Sequence, residues 1–93
     1  MAYQQGAASV GTTAAALFTS PSENDGIVLS NRGPVSVFIG GSNVTADYTS
    51  TGGLEIAPGE KVTIPTVGNV SATLYAVTAA STAVVNWLYI AYS

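Results

Sequence analysis

The last apolar segment of this 93-residue chain is the feature that most constrains its fold. Residues 83–92 read AVVNWLYIAY, and as a β-strand they place apolar side chains on both faces. A strand on the outside of a small soluble domain is normally polar on one of its faces. A chain of this length has little further material with which to cover a second apolar face. The segment therefore predicts that one face enters the core and that another protein covers the other.

The two faces of this segment differ in the kind of side chain they carry. We assign Leu88 and Ile90 to the core, because plain aliphatic side chains suit a small core. We assign Trp87 and Tyr89 to a subunit or partner contact, because aromatic side chains with a polar group suit interfaces.

The charge content excludes several kinds of partner. Charged residues are 8% of the chain, where roughly 25% is usual for a soluble domain. Arg32 and Lys61 are the two basic residues in a chain of net charge −3. Nucleic acid requires clustered lysine and arginine, and a membrane surface requires a basic amphipathic face. We therefore expect neither nucleic acid nor a membrane as a partner.

The inventory of reactive side chains argues against catalysis. The chain has no histidine and no cysteine, so most nucleophile, general-base and metal-ligand arrangements are excluded. Glu55 and Glu60 flank a turn and could approach each other as a glycosidase pair does, but we interpret them as solvated charges. Asp25 and Asp47 could offer oxygens to calcium, although neither lies in an alternating acidic loop. We expect no catalytic residue, no metal and no cofactor.

The rest of the chain consists of short β-branched runs separated by turn residues. Asn31 to Pro34 predicts a hairpin turn, Pro58-Gly59 a type II turn, and residues 44–53 an exposed loop. A further strand at residues 13–18 is weakly indicated, and Asn24 to Gly26 has turn chemistry. The predicted strands lie near residues 27–30, 35–39, 54–56, 61–64, 72–77 and 83–92. This spacing is typical of an all-β fold, a single small β-sandwich or barrel-like domain. The predicted core is Ile27, Leu29, Val37, Ile39, Ile56, Val62, Ile64, Leu74, Leu88 and Ile90.

The N-terminal residues 1–12 are small and polar, without periodicity. They have too few large apolar groups to offset the ordering of their backbone. We expect an extended N-terminal arm at 1–12, ordered only against a neighbour, and a β-sandwich domain at 13–93. Tyr3 and Val10 of the arm are further candidate contact residues. No secretory signal is evident, so we expect a soluble protein made in the cytoplasm.

From residue 27 to residue 85 the strand and turn sequence resembles that of small structural proteins of tailed bacteriophages. The similarity lies in IVLSN at residues 27–31, VFIGGSNVT at 37–45, IAPGE at 56–60, LYAVTA at 74–79 and TAVV at 82–85. The resemblance implies a β-sandwich component of the virion, either a decoration (cement) protein of the head or a module of a tail or fibre. Unlike larger family members, this chain is expected to carry no second domain, which favours decoration over a fibre.

Three functions remain open from the sequence. The leading hypothesis is a capsid decoration protein on the surface of the virion, made in the host cytoplasm, which binds the major capsid protein or another virion protein and stabilises the shell. It is expected to be a homo-oligomer, with a trimer favoured. The second hypothesis is a tail or fibre module that binds host surface glycans through Tyr48 and the 44–53 loop. The third is an unrelated β-domain that dimerises through its last strand.

Overall fold

The computed structural model describes residues 2–19, 24–64 and 73–91. These residues form an all-β domain of eight strands in two antiparallel four-stranded sheets. The strands are β1 (Ala2–Val10), β2 (Ala15–Thr19), β3 (Asn24–Asn31), β4 (Val37–Gly40), β5 (Leu54–Ile56), β6 (Lys61–Ile64), β7 (Thr73–Val77) and β8 (Ala83–Ala91). The described residues contain no helix long and apolar enough to cross a membrane.

The order of the strands follows one simple rule. The first sheet has the order β1-β8-β3-β6 and the second has β2-β7-β4-β5. Four of the strand pairs join two strands that are equally many strands away, along the chain, from the loop between β4 and β5. These pairs are β1·β8, β2·β7, β3·β6 and β4·β5. The chain is thus one long antiparallel hairpin rolled into two layers, which is the topology of an eight-stranded jelly roll.

Both sheets contribute to one core between the layers. The first sheet supplies Val10, Ile27, Leu29, Ala83 and Val85, and the second supplies Leu17, Val37, Ile39, Ile56 and Ala76. Five of the predicted core residues are buried here, while Val62, Ile64 and Leu74 pack against this core from partly buried positions. Buried residues alternate with more exposed ones from Ile27 to Ser30 in β3, and partly buried with exposed ones in β6, which is the pattern of a sheet with one face on a core.

A second, smaller cluster explains why β4 is apolar on both faces. Phe38 lies on the opposite face of β4 from Val37 and Ile39, and it packs with Val44 and Val77. Val44 belongs to the loop after β4, so this loop folds back over the outer face of the second sheet. The chain therefore covers the second apolar face of β4 with its own residues.

The predicted hairpin at Asn31 to Pro34 is wrong. The strands before and after it belong to different sheets, because β3 pairs with β6 and β8 whereas β4 pairs with β5 and β7. The type II signature Pro58-Gly59 does form a tight turn, in which Gly59 has a φ of 85° and Glu60 N donates to Ala57 O at 2.9 Å. That turn also passes from one sheet to the other. The turn residues at Asn24 to Gly26 lie within β3, where its register with β8 shifts.

A buried asparagine holds these two crossings together. Asn31 is 0% exposed. Its Nδ2 donates to Val35 O at 2.9 Å and to Ile56 O at 2.7 Å, and its Oδ1 accepts from Gly33 N at 2.8 Å. Its backbone O accepts from Gly59 N at 2.8 Å. Both donors of this amide are satisfied, so burial of the polar group is compensated.

The N-terminal segment is not a separate arm. Ala2 to Val10 pair along their whole length with β8, and Val10 is 5% exposed in the core. The small side chains of this segment permit the packing, since the ring of Trp87 occupies the space beside Gly6. The domain therefore begins with β1 rather than at residue 13.

The structure also reverses the faces that we assigned to β8. Leu88 is 43% exposed, so its assignment to the core is wrong. Val85 is fully buried, and Trp87 and Tyr89 pack against the core from partly buried positions. The side chain of Ile90 lies outside what the structure describes. So do residues 65–72, the last of which is where we expected a strand to begin.

Candidate functional site

The first candidate site is the outer face of the first sheet. It consists of the exposed or half-exposed side chains of Gln5, Ala7, Ser9, Val28, Ser30, Lys61, Thr63, Val84, Asn86 and Leu88. Gln5, Leu88, Val28 and Thr63 follow one another in register across the four strands. The face is therefore a continuous two-dimensional surface rather than a set of isolated side chains.

Three aliphatic side chains on this face are exposed, and we refer to them together as the strip. Val28 is 37% exposed, Val84 41% and Leu88 43%. Val28 and Leu88 are register partners on adjacent strands, whereas Val84 lies on the same face of β8 as Leu88 with Asn86 between them. Exposed apolar side chains that lie next to each other, as Val28 and Leu88 do, mark interaction surfaces more often than single ones do.

The same face carries very little charge. Among its described side chains Lys61 alone is charged, and Arg32 follows directly after the end of β3. The remaining polar groups are hydroxyls and amides. Such a surface loses less hydration free energy when it is covered than a charged one does, because moving a neutral hydroxyl or amide out of water costs far less than moving an ion.

The four predicted contact residues are placed differently. Trp87 and Tyr89 lie on the core side of the first sheet and are partly buried. Their part in a partner contact stays a prediction. Val10 is a core residue. Tyr3 lies in β1 opposite Ile90 of β8. The sequence signal that could have located the exposed strip was the alternation of β3, in which Val28 lies between Ile27 and Leu29.

A second candidate site is a shallow groove on the opposite sheet. It has a volume of about 330 Å³ and is lined by Val35, Ser36, Phe38, Ala46, Tyr48, Glu55, Ala79 and Ala80. Tyr48 is 82% exposed, and its ring meets the ring of Phe38 edge to face at a centroid distance of 5.8 Å. The groove therefore combines an accessible aromatic ring with small side chains.

The polar group of this groove is the pair formed by Tyr48 and Glu55. The Tyr48 hydroxyl donates to Glu55 Oε1 at 2.9 Å. This hydrogen bond and the negative charge of Glu55 raise the pKa of Tyr48 above its usual value of 10.0. The carboxylate keeps further lone pairs for another donor. Ring and carboxylate together offer an apolar face beside a hydrogen-bond acceptor.

Asp47 orders the loop that carries Tyr48. Its Oδ1 accepts hydrogen bonds from Thr49 Oγ1 at 2.6 Å, from Thr49 N at 3.1 Å and from Thr45 Oγ1 at 2.9 Å. These bonds, those from Thr49 first, lower the pKa of the Asp47 carboxyl below its usual value of 3.8. The aspartate therefore has a structural explanation as the centre of a turn.

The two glutamates that flank the Pro58-Gly59 turn have separate partners. Glu55 accepts from Tyr48, whereas Glu60 Oε1 accepts from Ala57 N at 2.7 Å. Within the described residues no three acidic side chains are close enough together to hold a metal ion.

Comparison of the chain with protein-family models, with curated proteins and with solved structures gives no match.

Proposed function

We propose that this chain is a non-enzymatic structural protein of a bacteriophage virion, which binds the assembled capsid and stabilises it. The resemblance of residues 27–85 to phage structural proteins suggests the virion. The observation that carries the proposal is the outer face of the first sheet, where Val28, Val84 and Leu88 are exposed on a nearly uncharged surface.

The physical chemistry of such a face suits a repeating shell. A strip of three aliphatic side chains gives a weak contact by itself, but identical contacts on a lattice combine when the copies are linked to one another. A protein that binds the assembled shell and not its free subunits stabilises the assembly by mass action. Low charge keeps like-charge repulsion between neighbouring copies small.

The fold supports the proposal by analogy. Double-sheet jelly rolls with eight strands occur in viral capsid proteins and in lectin domains. Because the same fold serves many functions, the analogy supports a shell or a recognition role without choosing between them. The choice rests on the exposed strip.

The proposal is tested with heads of the phage that encodes this chain, assembled in its absence. The purified chain is added back, and binding is measured by co-sedimentation. Leu88→Ser should weaken binding severalfold, because it removes an exposed apolar group from the strip. Leu54→Ser is the matched control, since Leu54 is 55% exposed on the second sheet. Equal binding by both variants and the wild-type chain would exclude the strip as the capsid contact.

The alternative, which a specific observation favours, is a tail or fibre module that binds host surface glycans. The groove at Tyr48 and Glu55 offers a ring for the C–H face of a sugar and a carboxylate for its hydroxyls. Tyr48→Ala should then abolish binding to host-cell glycans, while Tyr48→Phe should reduce it. If neither variant changes adsorption of the chain to host cells, this alternative is wrong.

A further inference from the structure

The open edge of β1 differs from the other three sheet edges. The edges of the two described sheets are β1 and β6, and β2 and β5. A sheet edge presents unpaired backbone N–H and C=O groups, so natural proteins usually protect it with charge, proline, a bulge or a very short strand.

Three of these edges carry such protection. The four-residue β6 begins with the exposed Lys61 and is followed in the sequence by Pro65. The three-residue β5 contains the exposed Glu55 and is followed by Pro58. β2 has a register irregularity between Ala16 and Phe18. Each edge is thus short, charged or bulged.

The edge at β1 has none of these devices. β1 is nine residues long and contains no charged residue and no proline. It pairs with β8 residue by residue without a shift in register. Within the described residues its other side has no strand partner. At about 3.4 Å per residue, this is an open and regular edge of roughly 30 Å.

We propose that β1 is an interaction surface for a second copy of this chain, through antiparallel pairing of β1 with β1 about a two-fold axis. The two backbones satisfy each other's free donors and acceptors. The side chains described on the outer face of β1 are Gln5, Ala7 and Ser9. Two copies of this strand meet without like charges and with little steric bulk, as an isologous contact requires.

The pairing joins the first sheets of two copies into one eight-stranded sheet. The strip of Val28, Val84 and Leu88 then occurs twice on one continuous outer face. We thus propose a dimer, where the sequence led us to expect a trimer. The pairing involves two copies of the chain and no other protein. It can therefore be tested on the purified chain, whether or not the chain binds a capsid.

The first test is the mass of the purified chain by sedimentation equilibrium over a range of concentrations. The chain of 9.3 kDa should pass from monomer to dimer. Ala7→Lys, which puts a charge on the β1 edge, should raise the dissociation constant by about tenfold. Thr63→Lys is the matched control, since Thr63 lies on the same face at the opposite edge of the sheet. It should dimerise as the wild-type chain does.

The second test detects the contact between two copies directly and does not require a substitution that weakens the dimer. The chain has no cysteine, so single cysteines at Gln5, Ala7, Ser9 and Thr63 report one contact each. Disulfide-linked dimers should form most readily at one position in β1 and least at Thr63. A chain that stays monomeric up to roughly 1 mM overturns the proposal. So does a trimer whose mass Ala7→Lys leaves unchanged, or cross-linking at Thr63 as fast as in β1.

Discussion

Trp87 packs its indole ring against Gly6, its register partner on the neighbouring strand. A β-carbon on Gly6 would lie 2.5 Å from Trp87 Cζ2 and 2.7 Å from Cε2. The glycine is therefore needed because the ring occupies the position of a side chain. This contact ties β1 to β8 and shows how a strand of small residues becomes part of the domain.

Gly6→Ala should destabilise the fold by roughly 1–3 kcal/mol, because the new methyl group forces the ring of Trp87 aside. Urea unfolding followed by tryptophan fluorescence measures this directly, since the chain has a single tryptophan. Gly11→Ala is the control, because a β-carbon there meets only Thr82 Cγ2, at 4.0 Å. If the two variants are equally stable, β1 does not pack under Trp87 in solution.

The faces of β3 and β8 predict losses of stability of different size for two leucines. Leu29 is fully buried and Leu88 is 43% exposed. Leu29→Ala should lower the free energy of unfolding by roughly 2–5 kcal/mol, and Leu88→Ala by less than about 1 kcal/mol. Chemical denaturation of both variants checks this. A larger loss for Leu88→Ala would restore the core position that the sequence suggested for it.

The buried amide of Asn31 predicts that the free energy of unfolding depends strongly on this one polar side chain. Asn31→Ala leaves the carbonyl groups of Val35 and Ile56 without their donor, so we expect a loss of roughly 2–5 kcal/mol. Asn86→Ala on the exposed outer face should change stability by less than about 0.5 kcal/mol. Thermal or urea unfolding gives both values. Similar small losses for the two variants would mean that Asn31 does not join the crossings between the sheets.

Part of this fold could be predicted from the sequence, and part could not. β-Branched runs located β3 to β8 well, and Pro58-Gly59 correctly predicted a tight turn. Local turn chemistry does not say which sheet the next strand joins, and so Asn31 to Pro34 was misread as a hairpin. Both faces of β8 are apolar, so composition alone did not separate Trp87 from Leu88. The sequence indicated Tyr48 and its exposed loop as a contact, but the groove and the hydrogen bond from Tyr48 to Glu55 depend on tertiary packing.

The hydrogen bond between Tyr48 and Glu55 predicts a titration shift. Because the raised pKa means that the folded loop favours the protonated phenol, this contact contributes at neutral pH and is lost as the pH rises through the folded-state pKa of Tyr48. Glu55→Gln should lower the Tyr48 pKa towards its usual value of 10.0. Nuclear magnetic resonance of ring-labelled tyrosine follows the titration. Glu60→Gln is the control, since Glu60 bonds to Ala57 N, and an equal shift in that variant would refute the pairing.

The position of the chain on a particle tests the central claim most directly. Under the proposed function a phage encodes the chain. Its virions are separated into heads without tails and into tails, and the chain is quantified by mass spectrometry against the major capsid protein. A decoration protein should be present on tailless heads in a fixed, high ratio to the capsid protein. It should also be absent from the tail fraction. Recovery of the chain in tails alone, or its absence from purified virions, would show that it does not stabilise the capsid.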